Sequence, residues 1–109
     1  MRYFIYCRKS SEDDDRQMLS IDAQLRELKE FAIREKLDIV QVFTEAKSAK
    51  APGRPVFDQM LEALKKGEAD GILAWNPDRL ARNSKDGGEI IFLIDQGLIK
   101  DLRFPTYFY

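Results

Sequence analysis

The chain predicts an α/β domain: three α/β/α layers, with a mostly parallel sheet of four or five strands and helices on both faces. Three observations predict it. Short runs of aromatic and β-branched residues recur along the 109 residues. Longer stretches between them repeat apolar residues every three or four positions, the period of a helix. Strands that alternate with helices pair in parallel and carry the helices on the sheet faces.

Tyr3-Phe4-Ile5-Tyr6-Cys7 is continuous apolar chain and reads as a buried strand. Residues 9–19 are polar and read as a loop. Ser20 suits an N-cap, with Asp22 in the first turn where the helix dipole favours an anion. Ile21, Leu25, Leu28 and Ala32 then give one apolar stripe, predicting a helix over 21–36. Ile39 to Phe43 is β-rich and reads as a second strand. Residues 45–53 form a loop, and Pro55 fits a first helical turn. The stripe Phe57, Met60, Leu61 and Leu64 predicts a helix ending at Lys65-Lys66-Gly67. Gly71 to Trp75 reads as a third strand. Ser84 is the expected cap of a helix carrying Ile90, Ile91, Ile94 and Leu98, and Leu102, Phe104, Tyr107 and Phe108 suggest a fourth strand.

Composition removes several function classes. Lys plus Arg is 18 and Asp plus Glu is 19, a net charge of -1, which argues against a stand-alone module held on duplex DNA by bulk electrostatics. The chain has no His, which removes the commonest general base and every His-containing metal site. The single Cys7 excludes an intrachain disulfide and a Cys-rich zinc site. Apolar runs such as Ile90 to Ile94 are far too short to span a bilayer. The opening Met1-Arg2-Tyr3-Phe4 lacks a signal-peptide layout. The expectation is a cytoplasmic protein without membrane contact. The apolar end at 104–109, with no polar tail, suggests a piece of a longer protein.

Ligand sites in open parallel sheets gather at the carboxyl ends of the strands. That rule selects residues 8–19, 45–54 and 76–83. In the first loop, Tyr6, Arg8 and Ser10 share one side if the extended form persists, while Cys7 joins Ile5 and Tyr3 on the other. A turn serine and a surface charge are the plainer readings of Ser10 and Arg8. In the second, Arg54 is a cation at a helix N-terminus, against the dipole; a bound anion or an ion pair with Asp58 would explain it. In the third, Arg79 and Arg82 would lie side by side on one helical turn, and Asp78 can bridge or orient them. An Asp–Arg pair in a solvated turn is the alternative. Together the loops hold a hydroxyl, four arginines and a carboxylate at one edge of a sheet. That set suits phosphoryl transfer by a serine nucleophile, with guanidinium groups rather than a metal stabilising the transition state.

Tyr6-Cys7-Arg8-Lys9-Ser10, Ser20-Ile21-Asp22-Ala23-Gln24, Gly53-Arg54-Pro55 and Asp78-Arg79-Leu80-Ala81-Arg82-Asn83 resemble the catalytic domain of the serine recombinases, the resolvase/invertase family. The resemblance covers most of the chain, and its specificity lies in the set of four motifs in order. Arg8 to Gln24, with Arg16-Gln17, looks closest to the large serine recombinases. The resemblance implies a resolvase-like fold, flavodoxin-like in style, in which Ser10 attacks DNA and forms a 5′-phosphoserine link. It implies that Arg8, Arg79 and Arg82 surround the scissile phosphate, that Arg54 is a further phosphate contact, and that Asp78 positions arginines or takes part in proton transfer. Tyr6, Gln17 and Gln24 would support the site. It also implies DNA as substrate, self-association from dimer to tetramer, no metal and no cofactor. Residues 1–109 would be the catalytic domain, with a dimerisation helix and a DNA-binding region beyond Tyr109. The acidic run Glu12 to Asp15 departs from this picture, because carboxylates repel DNA; consecutive acids rarely converge on one metal ion, and a solvated run is its ordinary fate.

Two other readings compete. A flavodoxin-like enzyme acting on a small phosphorylated substrate would favour a Gly-rich loop after the first strand, and residues 8–19 contain no Gly. A non-catalytic resolvase-like assembly domain would typically lack one of Ser10, Arg8, Arg79 or Arg82, and all four are present.

Overall fold

The apolar runs become four parallel strands: β1 (Arg2–Arg8), β2 (Asp38–Glu45), β3 (Gly71–Ala74) and β4 (Asp101–Arg103), in the order β2-β1-β3-β4. The helices are α1 (Ile21–Arg34), α2 (Pro55–Lys65), a short α3 (Pro77–Leu80) and α4 (Ser84–Asp95). The structure, a computed structural model, describes residues 1–9, 20–46 and 53–105. Ser10, Gln17, the acidic run Glu12 to Asp15, and Tyr107 and Phe108 lie outside the described residues.

β1 is central, with β2 on one side and β3 on the other, and it is buried from Tyr3 to Arg8. A strand covered on both faces needs apolar residues at consecutive positions, which is why its run does not alternate. Phe4 and Tyr6 join Ile72 and Ala74 in a core with Phe57, Met60 and Leu64 of α2 and Ile90 and Leu93 of α4. Ile5, Cys7 and Leu73 face the other way, onto Leu28 and Ala32 of α1. The three layers are therefore α1, the sheet, and α2 with α4. Gly71 lets strands approach closely: a Cβ there would lie 2.6 Å from a Tyr3 ring carbon and 2.8 Å from the Asp101 carbonyl oxygen.

The three long helices end by one device, a left-handed residue that turns the chain back onto the last carbonyls. Gly67 and Gly97 take φ of 78° and 75° after α2 and α4. Lys36 takes φ of 58° after α1, with Lys36 N–H donating to Ile33 and Leu37 N–H to Ala32. The helix predicted to reach residue 36 thus stops at Arg34, because Lys36 has left the helical region. Leu98 lies after Gly97, outside α4, and packs back onto the core. Ile91 and Ile94, expected on the buried stripe of α4, are exposed at 61% and 42%. The cap of α4 is Asn83 rather than Ser84: its Oδ1 accepts from Asp86 N–H at 2.9 Å. Ser20 caps α1 as expected, accepting from Ala23 N–H at 3.1 Å. The third strand ends at Ala74, one residue short of Trp75. Among the described residues no helix is long and apolar enough to cross a membrane.

Chain direction places the carboxyl ends of β1 and β3 side by side although α1, β2 and α2 lie between them in sequence. This is a point where the strand order reverses, the place at which open α/β sheets gather their ligand sites.

Candidate active site

Arg8 is the last residue of β1, and its side chain is completely buried. The plain reading of it as a surface charge is therefore wrong. Its Nε donates to the Arg79 carbonyl at 3.2 Å, and Arg79 Nη1 donates to the Arg8 carbonyl at 3.0 Å. Each arginine thus fixes the other's backbone, one from β1 and one from the segment after β3. Gln24, buried on α1, completes the arrangement: its Nε2 donates to the Arg8 carbonyl at 3.0 Å, and its Oε1 accepts from Arg8 N–H at 3.3 Å. A side-chain amide here satisfies backbone groups that a neighbouring strand would otherwise take. The β1–β2 pairing continues one residue further, where Lys9 N–H donates to the Glu45 carbonyl at 3.1 Å. Ser10, the next residue, lies outside the described residues, as does Gln17.

Arg79 sits on α3, a turn that falls within a segment expected to be a loop. Its start has a plain chemical cause. Asn76 Oδ1 accepts from Arg79 N–H at 3.0 Å, and Pro77 follows at the first helical position, where a missing N–H costs nothing. The turn ends at once: Ala81 is extended, at φ -154° and ψ 140°. Arg79 and Arg82 therefore do not share a helical turn. Arg79 is buried and Arg82 is exposed. Asp78 lies on α3, and its side chain is outside the described set.

A second network adjoins the first. Arg54 is the N-cap residue of α2 but has no side-chain acceptor with which to cap it. Glu45, at the end of β2, does that work: its carboxylate accepts from Val56 N–H at 2.9 Å and Phe57 N–H at 3.0 Å. The same carboxylate accepts from the Tyr6 hydroxyl at 2.6 Å. Tyr6 in turn accepts from Arg54 Nη1 at 3.1 Å, and Arg54 Nη2 donates to Asp86 at 3.0 Å. The Arg54 guanidinium carbon stands 3.9 Å from the Phe57 ring centroid, a cation–π contact in a dry setting. The ion pair expected with Asp58 is made with Asp86 instead. Two carboxylates from outside α2 thus offset a cation that opposes the helix dipole.

Burial raises the Tyr6 hydroxyl well above the usual phenol range, and the Glu45 hydrogen bond adds to the rise while Arg54 opposes it. Tyr6 is thus a neutral phenol that donates to one partner and accepts from another. Burial also pushes the Cys7 thiol up to about 12, with Lys29 acting weakly the other way. A neutral thiol buried against α1 is a poor nucleophile.

Glu45 and Asp86 escaped sequence reasoning. Asp86 had a local signal, since Asn83 and Asp86 have the three-residue spacing of a capping box. Glu45 had only its place at a strand end. Among the buried described residues here, three guanidinium groups (Arg8, Arg54, Arg79) outnumber two carboxylates (Glu45, Asp86), so this buried set carries a net positive charge. Such a set can bind and polarise a phosphate. No group of three or more potential ligands among the described residues could hold a metal ion. A groove of about 440 Å³ between β2 and α2, lined by Gln41, Gln59 and Lys66, holds none of the site residues.

The family model for the resolvase N-terminal domain matches residues 3–102. Among solved structures, a resolvase family site-specific recombinase from Streptococcus pneumoniae is 28% identical; the match covers 95% of this chain and 71% of that one, with a TM-score of 0.74. The N-terminal catalytic domain of TP901-1 integrase is 22% identical, over 95% of this chain and 76% of that one, with a TM-score of 0.76. The C-terminal catalytic domain of ISC1926 TnpA, an IS607-like serine recombinase, is 21% identical, over 95% and 70%, with a TM-score of 0.78. The last two share the fold. No curated protein matches the chain.

Proposed function

The chain belongs to the resolvase N-terminal domain family and is a site-specific recombinase catalytic domain; from that premise we propose that Ser10 is its nucleophile and that the arginines at the carboxyl edge of the sheet serve the scissile phosphate. One observation carries the reading. Arg8 at the end of β1 and Arg79 on α3, just beyond β3, interlock through each other's carbonyls, and Arg8 stands two residues before Ser10 in the chain.

In this reading the Ser10 oxygen attacks phosphorus while its proton passes to a base. The Oγ–P bond forms, the P–O3′ bond breaks, and the 3′ oxygen leaves carrying a proton. The product is a 5′-phosphoserine that conserves the energy of the broken phosphodiester. Rejoining is the reverse step with a new 3′ hydroxyl. Charge builds on the phosphoryl oxygens in the transition state. Donors already fixed in space stabilise it without reorganising. Arg8 and Arg79 have that character, since each is buried and anchored. Arg82, exposed on the following extended segment, meets the phosphate from the solvent side, and Arg54 is the further contact. Arginine stays protonated at any ordinary pH, so the proton acceptor lies elsewhere, with Asp78 as the candidate. Tyr6, Gln17 and Gln24 support the site. The chemistry needs no metal and no cofactor, because guanidinium groups take the role that a cation fills in other phosphoryl transfers.

With a net charge of -1, this domain supplies chemistry and little affinity. DNA recognition and the assembly of dimers and tetramers fall to a longer natural protein acting in the cytoplasm. The test is Ser10→Ala in that complete protein. The covalent protein–DNA adduct disappears, DNA binding stays nearly intact, and wild-type cleavage persists in excess chelator. An adduct surviving in Ser10→Ala would move the nucleophile elsewhere. Cleavage lost with EDTA and restored by magnesium alone would favour a metal nuclease.

A further inference from the structure

We propose that Asp86 is a positioning residue of the site: it orients the Arg54 guanidinium and, through Asn83, ties it to the segment that carries Arg79 and Arg82. The proposal rests on the reading of Arg54 as a phosphate contact. Arg54 Nη2 and Asp86 Oδ2 are 3.0 Å apart, and their side chains are 1% and 6% exposed. The same Oδ2 accepts from Asn83 Nδ2 at 2.8 Å, while Asp86 N–H donates back to Asn83 Oδ1 at 2.9 Å. This reciprocal pair stops the carboxylate from rotating. It also anchors it in the first turn of α4, where the helix dipole favours an anion.

Arg54 is thereby held from three elements. Tyr6 of β1 accepts from Nη1, the Phe57 ring of α2 lies under the guanidinium plane, and Asp86 of α4 takes Nη2. Tyr6 and Phe57 are neutral, so the charge and the direction come from Asp86. Nearby Asp58, Glu62 and Glu89 share with Asp86 a cavity of about 220 Å³ between α2 and α4, yet none of them pairs with Arg54. Asn83 follows Arg82 directly in the chain. The first turn of α4 therefore sets the spacing between Arg54 and the Arg79–Arg82 segment. A displacement of about 1 Å in such a group lowers a rate by about 100-fold.

The test uses the complete natural protein and a substrate that traps the covalent adduct, with rates read at saturating DNA and DNA affinity and melting temperature read separately. Asp86→Asn should slow adduct formation by about 100-fold while affinity stays nearly constant. Asp86→Glu, which keeps the charge, should recover part of the rate. In an Arg54→Met background, Asp86→Asn should add no further loss, because Asp86 acts through Arg54. If Asp86→Asn alone does not fold, Asp86→Glu and the Arg54→Met/Asp86→Leu pair, which buries no lone charge, carry the comparison. The pair should then match Arg54→Met in rate. A folded Asp86→Asn variant with the wild-type rate, or full additivity with Arg54→Met, overturns the proposal. Ser10→Ala runs alongside: an adduct surviving there defeats the underlying reading, whereas its loss together with an unaffected Asp86→Asn rate defeats this proposal alone.

Discussion

The two edges of the sheet treat charge in opposite ways. At the amino edge, Arg2 and Lys100 reach Asp70 at 3.7 and 3.6 Å, and Asp101, which opens β4, is reached at 2.6 Å by Arg103 from the end of that short edge strand, all with substantially exposed cationic side chains. At the carboxyl edge, Arg8, Arg54 and Arg79 are at most 1% exposed, and Glu45 and Asp86 are buried with them. Exposed pairs cost little to form and contribute little. Burying a guanidinium costs several kcal/mol in desolvation, which excellent geometry only offsets. A fold that needed charge for stability alone would not concentrate it where it is most expensive. The difference is what the proposed chemistry at the carboxyl edge would require, while the pairs at Asp70 and Asp101 behave as ordinary surface charge.

The comparison can be broken by stability measurements. The largest effect is expected from Glu45→Ala, which strips Tyr6 of its acceptor and leaves two N–H groups of α2 uncapped. Urea denaturation should show a loss of about 3–5 kcal/mol. A loss comparable to that of an exposed pair would mean the buried network is slack. Next comes Gly71→Ala at the amino edge, where rigidity comes from packing instead of charge. The new methyl meets the Tyr3 ring and the Asp101 backbone. The expected loss is about 1–3 kcal/mol, partly recovered by shrinking Tyr3 but not fully, because the Asp101 carbonyl is backbone.

The pH response sharpens the contrast from another side. The Cys7 thiol rises from an ordinary 9.0 to about 12 on folding, and Tyr6 also rises. A raised acid is protonated in the fold, so its stabilisation is complete below the unfolded pKa and is lost as pH climbs toward the folded one. Urea midpoints should hold up to about pH 9 and fall above it. Cys7→Ala should delay the onset of that fall toward the tyrosine range. A midpoint flat to pH 11 would show that neither group is buried as described. The smallest effect belongs to Arg103→Gln, expected to cost less than about 1 kcal/mol and to lose even that at high salt.

Local rules carried much of the fold. The buried run of β1, the cap at Ser20, Pro55 opening α2 and Gly67 closing it each follow from neighbours a few residues away. Where a local rule ran short, the reason is visible. Residues 76–83 read as a loop because the four-residue α3 is too short to show a period, although Asn76 and Pro77 have the chemistry of a helix start. Ser84 looked like a cap because serine caps helices, yet Asn83 one residue earlier reaches the right N–H. Site partners were harder, because the fold chooses them across long separations. Tyr6 meets Glu45 39 positions away, and Arg54 bypasses Asp58 for Asp86 32 positions away. Strand ends and motif resemblance point to Arg8, Arg54, Arg79, Tyr6 and Gln24, which the structure holds in two hydrogen-bonded groups: Arg8 with Arg79 and Gln24, and Tyr6 with Arg54. Arg82 stands apart in exposure, and Ser10 and Gln17 lie outside the described residues.

The central claim is that the carboxyl edge exists to present phosphate to Ser10. The most direct measurement isolates the covalent adduct formed by the complete protein on its recombination site, digests both components, and maps the nucleotide-bearing residue by mass spectrometry. The account predicts a 5′-phosphate ester on Ser10. A phosphate on Ser11, on Tyr6 or on any residue away from this edge would contradict it.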